Sequence, residues 1–287
     1  VSGVDALTWR RAARSWLVAT WLSAGTLAVP EVRSAEVKIH VWTYDYDDIV
    51  LWHLRSSFMH HAVAAVEWFH AVTDGQVGRR SAFRDFEGQF MTGTYAEFNY
   101  TYLVDGREHM RTYYARSGPD VPYLDLAGPG APTFAMFLRT LPSETHAVAL
   151  ESDASAIGWT ALDDGRPADA RRNDAELKAV RSIERDLRSR RVPYGGEVVA
   201  FVSQPMCASC EKAVRLFSVQ YGIDMTINVL AGPDAWASNR FMRRRRAFFD
   251  AARAAVPPGK PWGGPGPTPP PSAGVGGWCP AAGRVSR

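Results

Sequence analysis

Apolar and polar positions along the chain switch between two periods, about 2.0 and about 3.6 residues, and so predict strands alternating with helices. Residues 37–47 (VKIHVWTYDYD) read as a strand, and Ile49–Val72, with Trp52, Phe58, Val63, Val66, Trp68 and Phe69, as a helix. Tyr95–Leu103 and Arg107–Arg116 flank Val104-Asp105-Gly106 as a hairpin whose many aromatic residues fit sheet packing better than a base-stacking platform. Ala131–Leu141 predicts a short helix, and His146–Glu151 with Ala156–Leu162 a second hairpin around residues 152–155. A polar loop, Asp163–Arg172, then leads to a charged helix (NDAELKAVRSIERDLRSR) carrying Leu177, Val180, Ile183 and Leu187 in amphipathic order. Gly195–Ser203 reads as a strand, Ala208–Tyr221 as a helix stopped by Gly222, Ile223–Leu230 as a strand, and Asn239–Val256 as a closing helix. This order places the chain in the α/β class.

The two ends read differently. Arg10, Arg11 and Arg14 precede a mostly apolar stretch, Ser15–Val29, laid out like a signal peptide with Thr26-Leu27-Ala28 as a small-residue cleavage site. An interior amphipathic helix fits the same residues, and the stretch is short and interrupted for a membrane span. No membrane segment is expected in the mature domain. From Pro257 onward, proline and glycine are too frequent for independent folding, so 258–287 is expected to be a tail. Between the ends, 287 residues at 46% hydrophobic content suffice for a sizeable core.

Charge narrows the choice of partner only where it is uneven. The net charge is +3, short of an obligate nucleic-acid binder. Residues 171–257, however, hold 16 basic and 9 acidic side chains, an excess of +7 that leaves −4 elsewhere. Arg243, Arg244, Arg245 and Arg246 form the densest basic run, and Arg188, Arg190 and Arg191 a second; a phosphate-tracking surface and a solvated helix face both fit.

The most specific chemistry is Pro205-Met206-Cys207-Ala208-Ser209-Cys210, whose Cys207 stands 33 residues after the Asp174 of Asp174-Ala175-Glu176. Two cysteines three apart at a helix start share one face, and the unpaired N–H groups there favour thiolates. A lone C-x-x-C also suits a redox pair or half of a structural zinc site. A closed four-ligand site would need two further ligands downstream, where only Cys279 stands, and no histidine follows His146. Catalytic zinc needs a third protein ligand and an open position; Asp174 can supply the oxygen, and Glu176 can shuttle a proton. Alone, the acidic start is explained as a helix cap. His53, His60, His61 and His70 lack the four-residue spacing of a helical metal pair and are expected to pack or face solvent.

The spacing of ligand-x-Glu at one helix start, a strand, and Cys-x-x-Cys at the next helix start resembles the cytidine deaminase-like superfamily over residues 125–257. Closest in flavour are the nucleic-acid deaminase domains of bacterial polymorphic toxins, some of which carry Asp where the commoner members carry His. The resemblance implies a three-layer α/β/α sandwich with a mixed central sheet, the two motif helices side by side, and residues 37–124 as an additional α+β region. It implies Zn2+ held by Asp174, Cys207 and Cys210, with Glu176 as general acid/base. Two departures are visible: Met206 separates Pro205 from the first cysteine, and Asp174 adds a negative charge where His is usual.

The activity so implied is hydrolytic deamination of cytosine to uracil in DNA, single strands first because the target base must leave the stack. Deamination of RNA, free nucleotides or adenine, and a non-catalytic zinc-stabilised nucleic-acid-binding module, are the alternatives. A secreted effector acting in a target-cell cytoplasm, with an immunity protein as partner, would follow from the toxin likeness.

Overall fold

Alternation along Glu197–Val202 sends Val198, Ala200 and Val202 to one side and Val199 and Phe201 to the other, and both sides are covered. This strand is the middle of a five-stranded sheet, and a strand covered on both faces must be apolar on both. The computed structural model describes residues 35–42, 48–72, 80–118, 147, 155, 157, 172–230 and 235–256. The strands are β1 (Val37–Trp42), β2 (Tyr95–Val104), β3 (Arg107–Arg116), β4 (Glu197–Val202) and β5 (Asp224–Leu230). The helices are α1 (Asp48–Val72), α2 (Arg80–Met91), α3 (Ala175–Arg188), α4 (Ala208–Tyr221) and α5 (Ala235–Ala255).

The sheet order is β1-β5-β4-β2-β3. β1, β5 and β4 are parallel, and β2 runs antiparallel to both β4 and β3, so the sheet is mixed. The register pairs Val198 with Met225 and with Tyr100, which keeps one face apolar across three strands. On that face lie α3 and α4, through Leu177, Val180, Ile183, Leu187, Val214 and Phe217. The opposite face is covered by α1, α2 and α5, through Leu54, Phe58, Phe86, Phe90, Phe241 and Phe249. The fold is α/β, with helices on both faces of a mixed sheet.

Most predicted elements fall within a few residues of their expected ends, and α4 matches at both. Gly222 closes α4 in the left-handed conformation (φ 64), which a residue without Cβ adopts at no steric cost. Tyr95, Phe98, Tyr100 and Tyr113 are fully buried, so the hairpin aromatics do pack the sheet.

Two findings depart from the expectations. α2 is an element absent from the expectations above, although Phe83, Phe86 and Phe90 stand at helical spacing in it; Phe86 and Phe90 are buried in the core. The division expected near residue 124 does not run through the fold. β1, β2 and β3 hydrogen-bond into the same sheet as β4 and β5, and all described residues belong to one compact unit, Ser34–Arg287. The antiparallel hairpin beside β4 is therefore Tyr95–Arg116. The helix expected at 131–141, the hairpin at 146–162 save Ala147, Ser155 and Ile157, the N-terminal segment, His146 and the tail with Cys279 lie outside the described residues.

Candidate metal centre

Two helix N-termini converge where β4 ends. Asp174 is the N-cap of α3 and Cys207 the N-cap of α4, both with extended backbone (ψ 138 and 157) before the first helical turn. Their carbonyls accept the first helical hydrogen bonds, from Lys178 N at 3.0 Å and Glu211 N at 3.0 Å. The side chains behave differently. Cys207 Sγ accepts from Cys210 N at 3.3 Å, whereas the Asp174 carboxylate makes no capping hydrogen bond. Instead Asp174 Oδ2 stands 3.4 Å from Cys210 Sγ and 3.8 Å from Cys207 Sγ, and the sulfurs are 3.1 Å apart. An acid placed only to cap a helix would turn toward that helix's own N–H groups.

The donor set suits zinc. Two cysteine sulfurs and one carboxylate oxygen lie within 4.8 Å of one another, with Cys210 buried and the other two half-buried. Tetrahedral zinc with bonds of about 2.3 Å to sulfur and about 2.0 Å to oxygen spaces sulfur and oxygen about 3.5 Å apart, close to both observed separations. It would spread the sulfurs to about 3.8 Å, a widening of roughly 0.7 Å that one cysteine rotamer absorbs. Asp174, Cys207 and Cys210 are the one such group among the described residues.

Glu176, two residues into α3, is buried (4% exposed) beside this cluster. Burial pushes its carboxyl up to about 7, the Asp174 charge adds to this, and hydrogen bonds from its own backbone and from Cys210 oppose it. Burial likewise drives the Cys210 thiol far upward, with the Glu176 and Asp174 charges reinforcing it. Burial and neighbouring charge thus disfavour ionisation of Glu176 and Cys210, and a divalent cation would reverse that balance. The two helix N-termini act in the cation's direction by favouring the anionic ligands.

The walls are set by contacts that sequence reasoning does not find. Lys178 is buried (2% exposed) and donates from Nζ to the carbonyls of Arg116 (2.9 Å) and Gly118 (2.7 Å). Gly118 N donates to the Asn173 carbonyl at 2.9 Å, so the exit of β3 is stitched to the start of α3. Ser117 and Thr94 exchange hydrogen bonds, and Thr94 Oγ1 donates to Gln204 Oε1 at 3.1 Å, next to the cysteine turn. In the sequence, Lys178 sits among charged neighbours on a helix that looks solvated, and no local signal marks it as buried.

The remaining candidates separate. Arg245 is 1% exposed, lies over the Tyr95 and Phe241 rings, and donates to the Met91 carbonyl, so it is a packing cation and not part of a phosphate-tracking surface. Arg246 is exposed and pairs with Glu87 at 3.3 Å; Arg244 is exposed; the side chain of Arg243 lies outside the description. All four belong to α5, on the sheet face opposite α3 and α4. His53 Nδ1 lies 2.7 Å from Glu97, His60 stacks on Tyr114, and His61 Nδ1 lies 2.8 Å from the Ser57 carbonyl.

No protein-family model, no curated protein and no solved structure matches this chain.

Proposed function

We propose that the protein is a zinc-dependent deaminase that converts cytosine to uracil in DNA, with single strands the preferred substrate. The observation carrying this reading is the Asp174 carboxylate turned from its own helix toward Cys207 and Cys210, with the buried Glu176 two residues further on. The motif helices α3 and α4 packed together on one face of a mixed sheet also support it. The likeness to deaminase domains of bacterial toxins rests on the two motifs and their spacing. A non-catalytic zinc module would have no use for a buried carboxyl beside its metal.

Asp174, Cys207 and Cys210 would hold zinc, which would supply a Lewis acid able to make water nucleophilic near neutral pH. Glu176 carries the protons. Its carboxylate takes one from the attacking water as the oxygen bonds to C4 of cytosine, and passes it to the ring nitrogen. It then takes the remaining proton from the new C4 hydroxyl and delivers it to the exocyclic amine; the C4–N bond breaks as the C4 carbonyl forms, and ammonia leaves with uracil as product.

The test is Glu176→Ala. Glu176 is not a ligand in this arrangement, so the variant should fold and retain zinc while losing uracil formation by at least ~10²–10⁴-fold. Glu176→Gln should fail equally, because an amide does not shuttle a proton. Near-normal uracil production by either variant would refute the mechanism. Parallel incubation with RNA, free nucleotides and adenine-containing DNA identifies the substrate, and zinc retention with no deamination of any of them would point to the binding module.

A further inference from the structure

At the far end of α3 from Asp174, the chain turns through Ser189–Gly196 and leaves an open cleft of about 640 Å³ against the tip of the β2–β3 hairpin. Tyr102, His109, Arg190, Arg191 and Tyr194 contribute to its lining, and no carboxylate does. The rings present flat faces. Tyr102 and His109 stack at 5.8 Å and 16°, and Tyr194 is 57% exposed while stacking on Tyr221 at 6.2 Å. The walls are fixed: Tyr100 Oη donates to the Pro193 carbonyl at 2.7 Å and accepts from Gly196 N at 3.2 Å. A Cβ on Gly196 would collide with the Thr101 carbonyl and the Tyr100 ring, so this approach requires glycine.

Arg190 is the informative residue. Its N–H bonds to the Leu187 carbonyl at 3.0 Å, and Arg191 N–H bonds to the Asp186 carbonyl at 2.8 Å, which is the Schellman closure of a helix. Arg190 holds its left-handed position (φ 56), where glycine is the usual occupant and a side chain is strained. Helix termination therefore does not account for the arginine. Its guanidinium is exposed at the cleft and enters no ion pair among the described residues, whereas Arg191 lies 3.5 Å from Asp186.

We propose that this cleft binds nucleotides of a single nucleic-acid strand, its arginines meeting phosphates and its tyrosines stacking on unpaired bases. Stacking on side chains needs bases freed from a duplex, and cationic clefts with aromatic faces are how proteins hold single strands without reading sequence. The 14 residues of α3 separate the cleft from the metal cluster by about 20 Å, the span of about six stacked nucleotides at ~3.4 Å each. The cleft makes the substrate a polymer rather than a free nucleotide, and it rests on the deaminase reading only in taking the bound strand as substrate.

Fluorescence anisotropy with an oligothymidylate of about 12 nucleotides tests the cleft by itself, because thymine has no amine to lose. Tyr194→Ala and Arg190→Gly should each weaken binding about tenfold. Arg190→Gly should also reduce the slope of log affinity against log salt by about 0.7, one phosphate's worth for a single strand. The same variant should be at least as stable as the wild type, since glycine suits the left-handed position, so lost binding could not be ascribed to misfolding. An oligouridylate arm reports whether the sugar matters; loss on either strand supports the cleft. Unchanged affinity for both strands in both variants, or thymidine monophosphate bound as tightly as the oligomer, would overturn it. Wild-type protein that makes no uracil while the variants still lose oligothymidylate binding would sink the deaminase reading and leave the cleft standing.

Discussion

Asp174 can be interrogated at the level of one atom, because capping and metal binding make opposite demands on its side chain. Asparagine is as good a helix cap as aspartate but a much poorer zinc ligand. Asp174→Asn should therefore leave the metal-free protein within about 0.5 kcal/mol of wild-type stability and weaken zinc binding at least about tenfold. Competition against a chelating dye measures the second quantity and urea unfolding the first. Equal zinc affinity would return Asp174 to a capping role. His60 offers a separate residue-level test. Burial holds its imidazole down to about 4, against an ordinary value of 6.5, under the Tyr114 ring. Between those two values the unfolded chain binds a proton that the folded chain does not, so stability falls as pH drops through that window. Above 6.5 neither state is protonated and the penalty vanishes. The penalty is at most about 3 kcal/mol. Urea midpoints at pH 7 and pH 5 should converge in His60→Phe relative to wild type; an unchanged difference would place the acid sensitivity elsewhere.

Among the elements, α5 shows how a surface reading fails. Four consecutive arginines occupy more than a full helical turn, so a helix packed on a sheet must turn at least one of them inward. That one is Arg245, whose guanidinium lies 4.5 Å from the Phe241 ring centre and 2.8 Å from the Met91 carbonyl. Arg245→Gln should cost about 2–3 kcal/mol, because a charged hydrogen bond and its ring contacts are lost in a buried site. Arg244→Gln, at an exposed position, should change stability by less than about 0.5 kcal/mol. Thermal melts of the two variants decide it, and equal losses would mean that burial does not distinguish them. The candidate Asp/Cys/Cys cluster is far more legible than this helix. Asp174, Glu176, Cys207 and Cys210 each sit at a helix start, where residue type, spacing and the polar end of the helix are all written locally. Lys178 and Ser117 were not legible, since their partners are 62 and 23 residues away and neither spacing nor type announces them. α2 does carry a local signal, Phe83, Phe86 and Phe90 at helical spacing, but it is short and polar between them; what the sequence does not give is that Phe86 and Phe90 meet α1 and α5.

At the scale of the molecule, the strand order explains why a motif-based boundary misleads. The motif segment 172–256 supplies two neighbouring parallel strands, β4 and β5, and the helices α3, α4 and α5. Everything that pairs with the outer edges of those two strands comes from earlier in the chain: β1 beside β5, and β2 beside β4. The opposite face of the sheet depends on α1, whose Leu54, Phe58, Ala62 and Phe69 are completely or almost completely buried against α5 and the strands. Among the described residues, removing those before 125 would leave a two-stranded parallel ribbon with both edges exposed, together with Phe201 and Leu230, and two strands do not hold a sheet in water. It would also remove the carbonyls of Arg116 and Gly118 that anchor Lys178, so the start of α3 would lose its fixed position beside the cysteines. A fragment of residues 125–287 should accordingly lack a cooperative urea transition and bind zinc weakly or in variable stoichiometry. A fragment of residues 34–287 should unfold in one transition and take up one zinc per chain. If the shorter fragment unfolds cooperatively with a full equivalent of metal, the motif segment is a domain in its own right, and the shared sheet is an attachment rather than the frame of the site.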